Sequence, residues 1–189
     1  MSGSETVRAF LALEIPEEIK ARLAEAQGPL RRDLPRATWT RPEGQHLTLK
    51  FLGEVSPSVL ATLTADLAPR LRGLVHVAVR FHGAGFFPSP QRPRVAWVGG
   101  SAEDAEPVVA AVEDAAASAA FDRERRPWSL HLTQARLKAP WPRSAVSRFL
   151  EWGDALDLGP FSCREVVLFR SQLQAGGAVY TALERMPLK

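Results

Sequence analysis

The chain has 189 residues, of which 46% are hydrophobic and 24% charged, so it is able to build one packed interior. Its formal net charge of +3 suits an anionic partner but is too small to identify one. Cys163 is the single cysteine, which excludes an internal disulfide, and residues 1–7 lack the pattern of a signal peptide. No apolar stretch approaches the length of a membrane span, so we expect a soluble cytoplasmic protein.

The first half of the chain predicts three strands separated by two helices. Residues 8–15 are an apolar run closed by Pro16, which is typical of a buried strand. Ser56 and Pro57 supply an N-cap and a first-turn proline for the second helix. The other predicted elements are a helix with Ile19, Leu23, Ala26 and Leu30 on one face, a loop over residues 33–45, strands over 46–52 and 75–82, and a loop over 83–93.

The pattern restarts near residue 94, so residues 7–82 and 94–184 form two approximate repeats of a single domain that covers residues 1–189. Ser101 and Asp104 are a candidate capping pair for the first helix of the second repeat. Helices alternating with paired strands predict an α+β fold. The remaining predicted elements are strands over residues 94–99, 129–137, 165–170 and 178–183, a helix over 143–152 and a basic loop over 123–127.

The string His-Leu-Thr occurs twice, as His46-Leu47-Thr48-Leu49 and as His131-Leu132-Thr133-Gln134, nearly half a chain length apart. Because side chains alternate along a strand, the histidine and threonine of each copy share a face. In a regular first strand, Lys50 would join that polar face, and Phe51 would lie on the apolar one. If the two strands flank one cleft, two imidazoles and two hydroxyls converge there.

Two imidazoles and two hydroxyls are suited to cleaving a phosphodiester without a metal. An imidazole takes a proton from attacking water or gives one to a leaving oxygen, and threonine hydroxyls and an arginine hold the phosphate. Arg136 is the candidate arginine, although it lies five residues after His131 and should face away unless a bulge intervenes. The alternative is that each motif is only the polar face of an amphipathic strand.

Zinc is the competing chemistry, and a catalytic zinc site usually has three protein ligands. The other histidines are His76 and His82, and neither Cys163 nor a carboxylate stands at ligand spacing to the motifs. A Walker-type phosphate loop is also absent from the sequence. We therefore expect no metal and no cofactor. Aromatic residues that could stack on a nucleobase, or simply pack, are Trp39, Phe51, Trp128 and Trp141.

An ordered series of segments resembles the 2H phosphoesterase superfamily, and within it the RNA 2′,3′-cyclic phosphodiesterases, also called 2′-5′ RNA ligases. The resemblance covers nearly the whole chain and is far more specific than either short motif alone. Its segments are residues 8–16, Trp39, residues 46–53, 93–97, 131–136, 169–173 and 177–180.

The resemblance implies a bilobal, pseudo-twofold symmetric fold with two antiparallel sheets flanking a central cleft and helices on the outer faces. It also implies opening of a 2′,3′-cyclic phosphate on an RNA end, or on a small cyclic nucleotide, to a 2′-phosphate. His46 would be the proton donor and His131 the proton acceptor, while Thr48, Thr133 and Arg136 would hold the phosphate. We expect a monomer that binds neither metal nor membrane.

Two departures from the family pattern are Leu130, where many relatives have proline, and Gln134, where leucine is usual. Both lie off the predicted catalytic face, so we expect altered packing and little loss of chemistry. Two other functions stay open on sequence alone. The same site could run backwards and join RNA ends through a 2′-5′ linkage, or the protein could bind nucleotides or RNA without turnover.

Overall fold

The computed structural model describes residues 6–174 and 177–189. Residues 1–5, within the segment predicted not to be a signal peptide, lie outside this range. The strands are β1 (Val7–Glu14), β2 (Ala37–Trp39), β3 (His46–Val55), β4 (Val77–Phe87), β5 (Val95–Glu103), β6 (Leu132–Leu137), β7 (Phe161–Cys163), β8 (Glu165–Gln174) and β9 (Gly177–Pro187). The helices are α1 (Glu17–Asp33), α2 (Pro57–Leu71), α3 (Ala105–Ser118) and α4 (Arg143–Ala155), with a 3-10 turn at Pro42–Gly44.

The strands form two antiparallel sheets, ordered β3-β1-β8-β9 and β2-β6-β5-β4-β7. The central trios β3-β1-β8 and β6-β5-β4 are equivalent, because each contains a motif strand, the first strand of the same repeat and the third strand of the other repeat. The repeats therefore exchange their third strands, which the sequence did not indicate. The duplicated, bilobal α+β fold with pseudo-twofold symmetry that the sequence predicts is confirmed.

Helices cover the faces of the sheets that point away from the central cleft. Helix α4 packs on β4, where the Cα of Gly153 lies so close that an added Cβ would be 2.2 Å from the Cβ of Ala84. Helix α3 packs behind β3 and against α2. One continuous apolar core joins residues of both sheets to α1, α2 and α3, including Leu11, Leu47, Val79, Val98, Leu132 and Val166.

Several predicted boundaries were wrong because strand pairing extends beyond the apolar runs. Strand β4 continues to Phe87, into the predicted loop over residues 83–93, because residues 84–87 pair with residues 95–98 of β5. Gly85 lies under the indole of Trp97. A Cβ at Gly85 would be 2.2 Å from that ring, so glycine is required there for packing. The proposed cap at Ser101 is also wrong, because Ser101 lies within β5, where it pairs with Arg80 of β4.

Two short edge strands, β2 and β7, fall where the sequence predicted no strand. The Ser56 cap of α2 is confirmed, because its hydroxyl accepts a hydrogen bond of 3.4 Å from the Val59 amide. Within the described residues, no helix is long and apolar enough to cross a membrane.

Candidate active site

A cleft of about 780 Å³ lies between the two sheets and receives both motifs. Its walls combine polar motif residues with arginines and exposed aromatic rings. The lining includes Arg8, Phe10, Trp39, Arg41, Glu43, His46, Thr48, Phe51, His131, Thr133, Arg136, Leu173, Val179 and Tyr180. The sequence-based expectation that both histidines and both threonines face one cleft agrees with this geometry.

The first motif strand, β3, contains a bulge at Leu49. Thr48 pairs with Ala12 and Lys50 with Leu11, so Leu49 has no partner of its own in β1. Leu49 and Lys50 consequently both face the interior, and Lys50 is only 3% exposed. The prediction that Lys50 shares the face of His46 was therefore wrong. Phe51 is turned instead to the cleft, where 65% of it is exposed.

The second motif strand, β6, has a bulge at the equivalent position, Gln134. Thr133 pairs with Trp97 and Ala135 with Ala96, which leaves Gln134 without a partner in β5. Gln134 and Ala135 are both fully buried, and Arg136 turns back to line the cleft. The bulge explains why Arg136 faces the cleft although it lies five residues after His131. It also makes Arg136 the counterpart of Phe51 in the other half.

The imidazole of His46 lies in a cage of aromatic rings from three strands. Its centroid is 4.6 Å from that of Phe10, 5.9 Å from Phe169 and 4.9 Å from Tyr180, whose ring meets it edge-on. Burial in this cage lowers the pKa of His46 to about 4, although a hydrogen bond with the Gly44 backbone opposes the shift and the charge of Lys20 adds to it. His46 is therefore neutral near pH 7 in the free protein.

The imidazole of His131 has a more open setting, just before β6 begins. Its Nδ1 lies 3.0 Å from the carbonyl oxygen of Ser129, and its ring meets the edge of Phe87 at 5.3 Å. With the proton on Nδ1 donated to that carbonyl, Nε2 is left free for the cleft. His131 thus has one ring nitrogen held by the main chain and the other available for proton transfer.

Strand β3 is hydrogen-bonded to helix α3 and to the segment that leads to His131. Lys50 Nζ donates to Glu113 at 3.0 Å and to the carbonyl oxygen of Asp122 at 2.6 Å. The Trp128 indole donates a hydrogen bond of 2.8 Å to the carbonyl oxygen of Thr48. These contacts fix the approach to the second motif relative to the first.

Gln134, one of the two departures from the family pattern, is buried off the cleft as expected. It accepts a hydrogen bond from the side-chain amide of Gln27, itself 1% exposed, and donates to the carbonyl oxygen of Leu132 at 3.0 Å. Leu130, the other departure, is 8% exposed and packs in the core.

Sequence reasoning missed the aromatic cage and the cleft arginines Arg8 and Arg41. The alternation of Arg8, Phe10 and Ala12 along β1 was the available signal, because it places these residues on one face. Among the candidate stacking residues, Trp39 and Phe51 line the cleft, whereas Trp141 is 5% exposed and belongs to the core. In the described part of the chain, no three His, Cys, Asp or Glu side chains are grouped to hold a metal ion.

Two His-x-Thr segments therefore face one cleft from equivalent places in a duplicated fold. A family model described as LigT like Phosphoesterase matches residues 13–97. The RNA 2′,3′-cyclic phosphodiesterase of Methanothermobacter thermautotrophicus is 30% identical, with 94% of this chain and 97% of the relative covered. The protein of the same name from Thermus thermophilus is 36% identical, with coverages of 97% and 91%. The chain belongs to the LigT-like phosphoesterase family.

Solved structures show the same fold. A Thermus thermophilus crystal structure superimposes with a TM-score of 0.79 at 30% identity, and the match covers 96% of this chain and 97% of the other. Escherichia coli LigT complexed with 3′-AMP has the same fold, with a TM-score of 0.74, 24% identity and coverages of 98% and 99%.

Proposed function

We propose that this protein hydrolyses the 2′,3′-cyclic phosphate at the end of an RNA, without a metal, to leave a 2′-phosphate. The observation that carries the proposal is the convergence of His46, Thr48, His131 and Thr133 on one cleft. The names of the Methanothermobacter and Thermus relatives support the substrate class. A small cyclic nucleotide contains the same reacting group and is a second substrate of the proposed reaction.

The reaction is a displacement at phosphorus with two proton transfers. Water attacks the phosphorus and gives its proton to His131, while the bond from phosphorus to the 3′ oxygen breaks. His46 gives a proton to that leaving oxygen, so the product carries a 2′-phosphate and a 3′-hydroxyl. Each transfer by a positioned imidazole contributes roughly 10²- to 10⁴-fold to the rate.

The assignment of His46 as donor requires that substrate binding protonate it. The aromatic cage keeps its pKa at about 4 in the free protein, so neutral pH leaves the imidazole without its second proton. A phosphodiester brings a negative charge into the cleft, and an opposite charge nearby favours the imidazolium form. Binding of the anionic substrate therefore raises the pKa of His46, and the protonated imidazole acts as the acid.

The phosphate itself is held by Thr48, Thr133 and Arg136. Both hydroxyls donate hydrogen bonds to non-bridging oxygens, and the guanidinium neutralises charge as it builds on them. In other phosphoesterases a metal ion provides the positive charge that these side chains supply to the phosphate oxygens here. It is the bulge at Gln134 that turns Arg136 towards the cleft for this role.

The direct test is incubation with RNA that ends in a 2′,3′-cyclic phosphate, followed by identification of the product as a 2′- or 3′-phosphate. His46→Ala and His131→Ala should each lower kcat by roughly 10²-fold or more. His82→Ala, at an exposed histidine outside the cleft lining, is the matched control and should keep full activity. Turnover should persist in EDTA. Full activity in either motif variant would refute the proposal.

A sulfur-for-oxygen substrate separates the two histidine roles. When the 3′ oxygen of the cyclic phosphate is replaced by sulfur, the leaving thiolate needs no proton donor. His46→Ala should then regain most of its lost rate, whereas His131→Ala should stay slow because water activation is still missing. The opposite pattern would reverse the assignment while leaving the paired-histidine mechanism in place.

A further inference from the structure

The bulge at Gln134 is held by three hydrogen bonds. Because Gln134 has no partner in β5, its polar groups must find other contacts. Its carbonyl oxygen accepts a hydrogen bond of 2.8 Å from the amide of Thr40, which follows β2. Its side-chain Nε2 donates to the carbonyl oxygen of Leu132 at 3.0 Å, and its Oε1 accepts from Nε2 of Gln27. The bulge is therefore fixed from three directions.

The Leu132 carbonyl lies between the functional groups of the second motif. It belongs to the peptide group that joins Leu132 to Thr133. Because a peptide group is planar, a hydrogen bond that holds its oxygen also fixes the direction in which the main chain enters Thr133. His131 precedes this peptide and Arg136 follows the bulge, so rotation of the peptide would displace groups on both sides of it.

The direction of the Gln134 amide is set by Gln27. An amide side chain has an acceptor oxygen on one side and a donor nitrogen on the other. Gln27 presents its nitrogen, so Gln134 turns Oε1 to it and Nε2 to the Leu132 carbonyl. Both glutamines are buried, so solvent offers neither amide another partner. Without the donor on Gln27, the Gln134 amide could turn over, and its oxygen would then face that of Leu132 without a proton between them.

Gln27 is itself held in place by its neighbours on α1. It lies between Leu23 and Leu30, about one helical turn from each. Leu23 is buried in the core that joins both sheets to the helices, and Leu30 belongs to the apolar cluster that contains Ala135, next to the bulge. A helix of the first repeat thus supports the motif of the second repeat.

We propose that Gln27 and Gln134 are positioning residues, which act through the carbonyl oxygen of Leu132 on the catalytic groups of the second motif. Neither glutamine is among the described residues that line the cleft, so neither touches substrate. The inference rests on the proposed function, which gives the second motif its part in proton transfer and phosphate binding. A displacement of about 1 Å can cost roughly 10²-fold in rate, so a loosened peptide lowers kcat even in a folded protein.

The test measures kcat and urea unfolding for Gln27→Leu, Gln134→Leu and the double variant. Gln134→Leu should lower kcat by roughly tenfold or more, and Gln27→Leu should lower it in the same direction. In the double variant stability should partly recover, whereas kcat should stay low because the Leu132 carbonyl still lacks its donor. A merely structural role would let kcat recover together with stability. Native kcat in any of the three variants would overturn the proposal.

The control for a general loss of stability is Leu67→Ala. Leu67 is fully buried in α2 and is not among the described residues that line the cleft. The variant should be destabilised and still keep native kcat, at a temperature where circular dichroism shows that it is folded. An equal loss of kcat in Leu67→Ala would show that stability sets the rate, and would overturn the positioning role.

A binding measurement makes the proposal testable without turnover. The ligand is a nucleoside 2′-phosphate, the proposed product, and its affinity is measured by isothermal titration calorimetry. It should bind the double variant roughly tenfold more weakly than the unaltered protein, because the phosphate contacts of Thr133 and Arg136 are loosened. Such weakening in a protein without turnover would support the positioning role and refute the hydrolysis. Turnover with native kcat in the variants would do the reverse, and a protein that neither binds nor turns over would refute both.

Discussion

The indole nitrogen of Trp128 donates a hydrogen bond of 2.8 Å to the carbonyl oxygen of Thr48. This contact links the main chain of the first motif to the segment that leads into the second. Trp128 is not among the described residues that line the cleft, so the contact sets the relative placement of the two motifs from outside it.

Trp128→Phe should remove this hydrogen bond while keeping an aromatic ring in place. The loss of one buried hydrogen bond costs about 1 kcal/mol of unfolding free energy. Because the segment before His131 is loosened, kcat should fall more than KM rises. Urea unfolding and steady-state kinetics measure the two effects, and an unchanged kcat would show that the link has no positioning role.

Lys50→Met should lower the free energy of unfolding by about 3 kcal/mol. The substitution leaves the carboxylate of Glu113, which has a side-chain exposure of 15%, without its cation. The double variant Lys50→Met with Glu113→Leu should regain part of that loss, since no carboxylate is then stranded. Urea denaturation measures both. Lys138→Met, at an exposed lysine, is the control. If Lys50→Met changed the free energy of unfolding as little as Lys138→Met does, the prediction would be contradicted.

Gln134→Leu installs the residue that is usual in the family, yet we expect it to destabilise this chain. The amide of Gln27, buried at 1% exposure, would lose its acceptor at a cost of about 1–3 kcal/mol. Replacing both glutamines by leucine should recover part of that loss, because neither side-chain amide is then left without its partner, although the carbonyl oxygen of Leu132 still loses the donor it has in Gln134. A double-mutant cycle from thermal or urea unfolding tests this, and additive losses would contradict it.

The depressed pKa of His46 makes stability depend on pH. The unfolded chain binds a proton at His46 with a pKa near 6.5, whereas the folded chain does so only near pH 4. The stabilisation is therefore complete above about pH 6.5 and is lost as the pH falls towards 4. Between pH 7 and pH 4.5, the native protein should lose more unfolding free energy than His46→Gln does. His82→Gln should behave like the native protein, and identical losses in all three would count against the aromatic cage as the cause.

The order of elements and the shared face within each motif could be predicted because they depend on local patterns, whereas one cleft between the motifs was implied only by the family resemblance. Apolar periodicity located most strands and helices, and strand alternation put His46 with Thr48 and His131 with Thr133 on matching faces. The bulges at Leu49 and Gln134 could not be predicted, because register belongs to the pair of strands and not to either one. The orientations of Lys50, Phe51 and Arg136 depended on them.

The aromatic environment of His46 also could not be predicted from local sequence patterns. Its cage is made by Phe10, Phe169 and Tyr180, from β1, β8 and β9. These strands meet only because β8 leaves its own repeat and pairs with β1. The pKa of His46 is thus a property of the tertiary fold.

The exchange of third strands means that the halves are interlocked. If the backbone were cut in the connection between Phe87 and Val95, β4 would stay with the first fragment and β8 with the second. Each fragment would then still supply a strand to the other fragment's sheet, through the β4–β5 and β1–β8 pairs. Either fragment alone would expose an unpaired sheet edge, at β1 or at β5, which invites aggregation. The two walls of the cleft are therefore held together by mutual strand donation, and the covalent connection between the halves matters less to the geometry of the cleft than the strand pairing does.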